Sequence, residues 1–189
     1  MDFIHLYRHL VQDQAATLEA LPFEVRKVDI KKGAVITAYG AVEKRVYFIR
    51  KGIIELSIED PTAEKVIDFY FGDEVVTCLT SFLLQTPSDV QMTAFADCEL
   101  ECFDHDEVYT KYPTSLEVNK LGRVLVEQAY LRKARREKDL LSKTAEEMYK
   151  QLIEEHPDCV KLIPVNKLAR YLGIHPESLS RIRRRMVLH

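Results

Sequence analysis

The sequence predicts an α+β protein in three parts: an antiparallel β domain over residues 1–113, a long helix over 114–141 and a small helical domain over 142–189. Three observations lead to this division. The first part alternates short β-type runs with turn residues, the second lacks proline and turn clusters over about 28 residues, and the third ends in a helix-turn-helix pattern.

The β domain is predicted to begin with a helical segment that reaches about Leu21, followed by seven short strands. These strands are rich in Val, Ile, Tyr and Phe, and turn signals such as Lys51-Gly52 and Asp60-Pro61 separate them. Their number and spacing are typical of a sandwich or barrel. The strict alternation in Ile54–Glu59 predicts a strand with one face in water. The predicted strands are Val28–Ile30, Ala34–Ala38, Val46–Arg50, Gly52–Glu59, Lys65–Phe71, Val90–Ala96 and Cys98–Phe103.

The long helix carries an apolar face that needs a partner. That face packs either against the β domain of its own chain or against the same helix of a second subunit. The length of the segment and its charged final third, Arg132–Lys138, favour the second subunit. Gly122 marks either a weak point in the helix or a close approach of another element. The residues expected at the dimer contact are Leu121, Val124, Leu125, Gln128 and Leu131.

The C-terminal segment Val165–Met186 has the residues that two short crossed helices require. Ala169 is small where the second helix would press on the first, and Gly173 tolerates the positive φ of the turn. Pro176 suits the first turn of the second helix, where a missing N–H costs little. Apolar side chains are spaced to fill the wedge between the helices: Leu168, Leu172, Ile174, Leu179, Ile182 and Met186.

The outer face of the second helix has the chemistry of a DNA-reading surface. Glu177, Ser180, Arg181 and Arg184 recur at helical spacing and so share one face, with Ser178 and Arg185 beside it. Arginine can bond both acceptors of guanine, glutamate can accept from the cytosine amino group, and a serine at a helix N-terminus suits phosphate. These six residues are the candidate contacts to double-stranded DNA.

The charge distribution agrees with a separate DNA-binding module. Residues 142–189 carry nine basic and six acidic groups, although the whole chain has a net charge of −3. A basic C-terminal part on an acidic body is typical of an anion-binding module.

Composition excludes several other classes. No apolar run approaches the roughly 18 residues that cross a membrane, and the N-terminus lacks the pattern of a secretion signal, so we expect a cytoplasmic protein without membrane contact. The six histidines are too scattered for the ligand cluster of a metal-dependent jelly-roll enzyme, so we expect neither a metal nor an enzyme. The four cysteines match no zinc or cluster spacing and are expected to be buried apolar residues: Cys78, Cys98, Cys102 and Cys159.

In these residues and motifs, the chain resembles the CRP/FNR family of bacterial transcription regulators over nearly its whole length. Arg50–Ile54 is similar to the family's Lys-Gly hairpin, and Phe71-Gly72-Asp73 to its Gly-Asp turn. Glu177, Ser180 and Arg181 resemble the FNR-type recognition helix, which implies a half-site similar to TTGAT, although His175 and Pro176 depart from that type.

The resemblance implies an N-terminal antiparallel β-roll (jelly roll) sensor domain, a long dimerisation helix and a small C-terminal winged helix-turn-helix domain. It implies a homodimer on a two-fold symmetric DNA site, with RNA polymerase as a further partner. Since the sequence ends soon after the recognition helix, the wing is expected before that helix, at Cys159–Pro164. The alternative is a β-roll module that acts through protein–protein contacts.

The effector is harder to assign. The resemblance places the candidate effector pocket at Gly72, Val76, Thr77, Ser88 and Asp89. Family members that bind cyclic nucleotides have Gly-Glu and Arg-Ser or Arg-Thr where this chain has Val76-Thr77 and Ser88-Asp89. Because Asp89 would repel the cyclic phosphate that arginine attracts, we expect no binding of cAMP in the usual way. The family's N-terminal cluster cysteines are also missing. No cofactor is expected, the effector is unknown, and His105 is expected on a solvated loop.

Overall fold

The computed structural model describes residues 1–59 and 65–187, and its N-terminal domain is built on two four-stranded antiparallel sheets. The first sheet has the order β1-β8-β3-β6 and the second the order β2-β7-β4-β5. The predicted turn at Asp60-Pro61 lies outside the described residues. The strands are β1 Arg26–Ile30, β2 Val35–Thr37, β3 Arg45–Lys51, β4 Ile54–Ile58, β5 Lys65–Tyr70, β6 Val75–Val76, β7 Val90–Ala94 and β8 Cys98–Asp104.

All seven predicted strands are confirmed, and the arrangement is the predicted β-roll. The turn between β3 and β4 depends on Gly52, whose φ is 115° and where a Cβ would collide with Cys98. Strand β6 and helix α2, Leu79–Leu84, were not predicted. A two-residue strand is too short to show alternation, so β6 depends on its pairing with β3.

Apolar side chains from both sheets meet in the core of the β-roll, as the alternation of the strands requires. Met92 and Ala94 from β7 face Ile49 and Leu100 from the first sheet, and all four are fully buried. Cys78, Cys98 and Cys102 are buried in the same cluster, which confirms the prediction for these three cysteines.

Helix α1, Phe3–Val11, is shorter than predicted because Gln12 takes a left-handed conformation with φ of 62° and ends it. Its first turn is held by two carboxylates. The Asp2 side chain accepts from the His5 amide, and the buried Glu101 accepts from the Phe3 amide at 2.6 Å. These bonds satisfy amides that have no partner within the helix, and they fix α1 on the first sheet.

Helix α4, Leu116–Ser142, confirms the predicted long helix. Its first half packs against α1 and the β-roll, where Val118 and Leu121 are fully buried. Gly122 lies at a close approach, because a Cβ there would collide with the Tyr112 side chain.

Four further helices form the C-terminal domain. Helix α5 begins at a capping box, in which Thr144 and Glu147 satisfy each other's amides. The segment predicted as the wing is helical, so the prediction of a β wing at Cys159–Pro164 was wrong; Pro157 starts a helix there instead. The helices are α5 Ala145–Glu155, α6 Pro157–Leu162, α7 Val165–Leu172 and α8 Pro176–Val187.

The C-terminal domain packs on the second sheet, and this corrects the prediction of a water-facing side for β4. Glu55 and Ser57, two of the three polar residues of that alternation, are buried, whereas Glu59 is exposed. Lys167 of α7 forms an ion pair with Glu55 at 2.6 Å, and the Tyr39 hydroxyl contacts the Ser57 hydroxyl at 3.1 Å. Alternation therefore marked two chemically different faces, but the polar one is covered by a domain distant in sequence.

In the part of the chain that the structure describes, no helix combines the length and the apolar character needed to cross a membrane.

Candidate nucleic-acid interface and effector cavity

Helices α7 and α8 form the predicted helix-turn-helix. Helix α7 ends at Gly173, which has a φ of 69°, and the Ile174 amide reaches back to the Ala169 carbonyl at 3.0 Å. This left-handed ending satisfies the last carbonyls of α7 and turns the chain sharply. Pro176 then occupies the first position of α8.

The wedge between the two helices is apolar and closed, as predicted. Leu168, Ala169, Leu172, Leu179 and Ile182 are all buried, and Ile174 and Met186 pack against the same cluster. With this side of α8 buried, the opposite side faces solvent.

Three of the six candidate DNA contacts stand on that solvent side without an internal partner among the described residues. Glu177, Arg181 and Arg184 are exposed. Within the described residues none of the three forms an ion pair, so their charges remain available to a ligand. An arginine held by nothing else on an exposed helix face can reach a base edge or a phosphate.

The other candidates differ in what they contact. The Ser180 hydroxyl donates to the Pro176 carbonyl at 3.0 Å, and Arg185 forms an ion pair with Glu146 of α5 at 2.8 Å. Ser178 is half-buried at the start of α8. Both bonded side chains must exchange an internal partner before they contact DNA.

The five residues predicted at the dimer contact differ in how far they are exposed in the structure. Leu121 is buried within its own chain, so for this residue the rejected alternative, packing on its own β domain, is correct. Val124 and Leu125 are half-buried against the same cluster. Gln128 and Leu131 are exposed.

A cavity of about 590 Å³ lies between the β-roll, α2 and α4. Of the five residues predicted for an effector pocket, Thr77, Ser88 and Asp89 line it. Val76 instead points into the core between the sheets, and Gly72 stands in an exposed turn, so these two residues do not line this cavity. Helix α2 lies between Thr77 and Ser88 in the chain.

Arg132 of α4 is a cavity residue that the sequence patterns did not single out. Its guanidinium donates to Asp68, to Glu74 and to the Phe69 carbonyl, each at 2.7 Å, and lies 3.9 Å from the centre of the Tyr70 ring. The opposing carboxylates raise its pKa although burial alone would lower it. Arg132 therefore fixes α4 to strand β5.

Arg136, one turn further along α4, contacts the helix-turn-helix. It donates to the Tyr171 carbonyl and lies 3.8 Å from the centre of the Tyr171 ring. Burial raises the pKa of the Tyr171 hydroxyl to about 12. A signal was present in the sequence: Arg132 and Arg136 are four apart, so they lie on one helix face.

His105 was predicted on a solvated loop, and this was wrong. It starts helix α3, His105–Tyr109, and its ring is buried, stacked at 3.9 Å on Tyr109 and edge-on to Phe82. The prediction failed because the neighbours of His105 in sequence, Asp104 and Asp106, are polar, whereas the aromatic residues that bury its ring come together only in the folded chain. Among the described residues no three His, Cys, Asp or Glu side chains lie close enough to hold a metal ion.

Comparison with known proteins gives a match for part of the chain and a likeness in fold. Residues 27–113 match the family described as "Cyclic nucleotide-binding domain". No curated protein matches the sequence at a significant level.

Three solved structures illustrate the likeness in fold. FixK2 from Bradyrhizobium japonicum is 14% identical, with a TM-score of 0.73 over 87% of this chain and 85% of that one. The c-di-GMP responsive global regulator CLP from Xanthomonas campestris is 14% identical, with a TM-score of 0.65 over 87% of each chain. A transcriptional regulator of the CRP/FNR family from Eubacterium rectale is 14% identical, with a TM-score of 0.65 over 97% of this chain and 83% of that one.

Proposed function

Since this chain has the fold of the CRP/FNR-type transcription regulators, with a domain of the cyclic nucleotide-binding family at residues 27–113, we propose that it is a DNA-binding transcription regulator. We further propose that it binds as a homodimer to a two-fold symmetric site and does not respond to cAMP. Two recognition helices about 34 Å apart would match half-sites one turn of DNA apart.

The observation that carries the proposal is the solvent face of α8. Glu177, Arg181 and Arg184 are exposed there, whereas the opposite face is held by the buried Leu179 and Ile182. A fixed helix that presents arginine and glutamate together offers both a donor for guanine and an acceptor for cytosine. A helix face that only kept the protein soluble would not need arginine and glutamate together on the second helix of a helix-turn-helix.

Fluorescence anisotropy with a labelled two-fold symmetric duplex tests the proposal. The duplex is first selected from a random pool by the full chain. We expect the affinity to fall steeply with salt, because each phosphate contact releases counterions. Arg181→Ala should weaken binding to the selected site by about 1–3 kcal/mol and relax the preference at one base pair of each half-site.

Lys27→Ala on the exposed part of β1 is the matched control, because it also removes one positive charge but lies in the β-roll. Its affinity for the selected site should equal that of the unmodified chain. Binding that ignores salt, or an Arg181→Ala variant that keeps its full sequence preference, would contradict the proposed role of α8. In that case the alternative, a module that contacts other proteins, becomes the better description.

A further inference from the structure

The cavity beside α4 is large enough for a small organic molecule and has mainly apolar walls. Its volume of about 590 Å³ lies within the range of roughly 300–1,000 Å³ typical of ligand sites. The β-roll and α2 contribute Val46, Phe82 and Phe103, and α4 contributes Leu121, Leu125 and Ala129. Burial of apolar ligand surface against such walls is the main source of affinity the site can offer.

The hydroxyl groups predicted to face an effector already have partners within the chain. Thr77 donates to the Arg45 carbonyl at 2.8 Å, and Ser88 donates to the Val90 carbonyl at 2.7 Å. A ligand that needed these two donors, as a sugar or a phosphate would, must break bonds to the backbone. These two hydroxyl groups thus stabilise the wall of the cavity and offer little for recognition of such a ligand.

Four of the charges that line the cavity are compensated in the same way. Arg132 is bound by Asp68 and Glu74, and Asp73 is bound by the N-terminal ammonium of Met1 at 2.7 Å. The remaining oxygens of Asp68 and Glu74 accept from backbone amides. An ionic ligand that approached these four groups would therefore find their charges already compensated, and it would lose its hydration without gaining a partner in return.

Three lining charges have no ion pair among the described residues. Asp89 and Lys133 are exposed at the edge of the cavity and have opposite signs. Arg136 is turned to α7, where it donates to the Tyr171 carbonyl and lies over the Tyr171 ring. At the edge of the cavity, Asp89 and Lys133 together favour neither an anion nor a cation. Asp89 also lies on the side of the cavity where the β-roll meets α2, so an entering phosphate would meet a negative charge.

Pairing of two subunits through α4 would leave the cavity open. Leu121, Leu125 and Arg132 lie on the face of α4 that lines it, whereas the exposed Tyr130 and Leu141 lie on roughly the opposite face of the helix. A second copy on the exposed face would not fill the space, so the occupant is best sought among small molecules.

We propose that this cavity binds an uncharged, apolar small molecule, and not a nucleotide. The role of this ligand as the effector of the regulator rests on the proposed function. It follows from α4, on which Arg132 binds the cavity wall and Arg136 binds α7. As a binding site it stands on the cavity alone.

The test uses Nile red, an uncharged apolar dye, titrated into the full chain. We expect saturable fluorescence enhancement with one dye per chain. Ile67→Arg places a charge in the lining of the cavity and should weaken dye binding at least about tenfold. Leu84→Arg is the matched control, because Leu84 is an exposed leucine of α2 outside the lining, and it should change the dissociation constant less than about twofold.

Displacement of the dye by ligands of equal length separates apolar from ionic recognition. We expect 1-decanol to displace it, and decanoate, decylamine, cAMP and cGMP to do so at least about tenfold less well. Absence of saturable binding, equal losses in both variants, or preferred displacement by an ion or a cyclic nucleotide would overturn the inference. DNA binding without ligand is measured separately. If the protein binds DNA but does not bind the dye, that result overturns only this inference and leaves the proposed function intact.

Discussion

At the scale of single residues, Asp104 shows how one carboxylate joins two strands of the first sheet. It accepts hydrogen bonds from Arg26 of β1 and from Arg45 of β3, the latter at 2.8 Å. Burial alone would raise the pKa of Asp104, but the two arginines hold it below its ordinary value. The carboxylate therefore stabilises the fold above the pKa of the unfolded chain, about 3.9, and loses this effect as the pH falls through the lower folded value.

Asp104→Asn should lower the free energy of unfolding by about 1 kcal/mol at pH 7, a modest value because the side chains are partly exposed. The difference from the unmodified chain should shrink between about pH 4 and pH 2, where the native carboxylate is protonated. Urea denaturation at pH 7 and pH 3 measures both. Asp29→Asn, exposed on the neighbouring strand, is the control. A deficit as large at pH 3 as at pH 7 would contradict this account.

At the scale of secondary-structure elements, helix α4 has two faces with different partners. One face buries Val118 and Leu121 in its own domain. The other exposes large apolar side chains at helical spacing: Leu116, Tyr130 and Leu141, which are 83%, 68% and 84% exposed. Since such side chains gain by leaving water, this exposed face is the expected contact between subunits.

Tyr130→Asp should therefore weaken the dimer, because a carboxylate would be buried at the centre of the contact without a partner. We expect the dimer dissociation constant to rise at least about tenfold, a shift that sedimentation velocity resolves. Leu84→Asp puts the same charge on an exposed leucine of α2 and should leave the dimer intact. A Tyr130→Asp variant that remains dimeric at nanomolar concentration would place the contact elsewhere.

The sequence predicted the elements well where their causes are local. The strands follow from alternation and turn residues, and the helix-turn-helix follows from Ala169, Gly173 and Pro176, whose roles depend on nearby backbone. It failed where contacts distant in sequence decide. Burial of Glu55 requires Lys167, which lies 112 residues later, and burial of His105 requires an aromatic cluster. No pattern within β4 could show that its polar face is covered.

At the scale of the whole molecule, the C-terminal domain is held on the second sheet by contacts of several kinds. Lys167 pairs with the buried Glu55, the rings of Phe69 and Tyr171 lie 5.6 Å apart, and His156 stacks on Phe71 at 4.0 Å. Removal of one partner of a buried ion pair leaves the other charge desolvated, and this costs more than the pair itself contributes.

Lys167→Met should therefore destabilise the protein by about 3 kcal/mol and speed hydrogen exchange in α7. Adding Glu55→Gln should restore much of the loss, because it removes the buried carboxylate whose ion pair with Lys167 has been lost. Urea denaturation and amide exchange measured by mass spectrometry report the two effects. Lys161→Met removes an exposed pair with Asp158 and should change stability by less than about 0.5 kcal/mol. Equal effects of both lysine substitutions would contradict a specific docking contact.

The packing of α7 on the β-roll of its own chain has a genetic consequence. Each subunit of the proposed dimer would control its own recognition helix through Arg136 and Lys167, and would do so without passing through the other subunit. In a cell with two alleles, a copy with a blocked cavity would then disable one half of a mixed dimer and spare the other. Because the proposed two-fold symmetric site needs both recognition helices, a mixed dimer should bind it less well than a dimer of two unmodified copies.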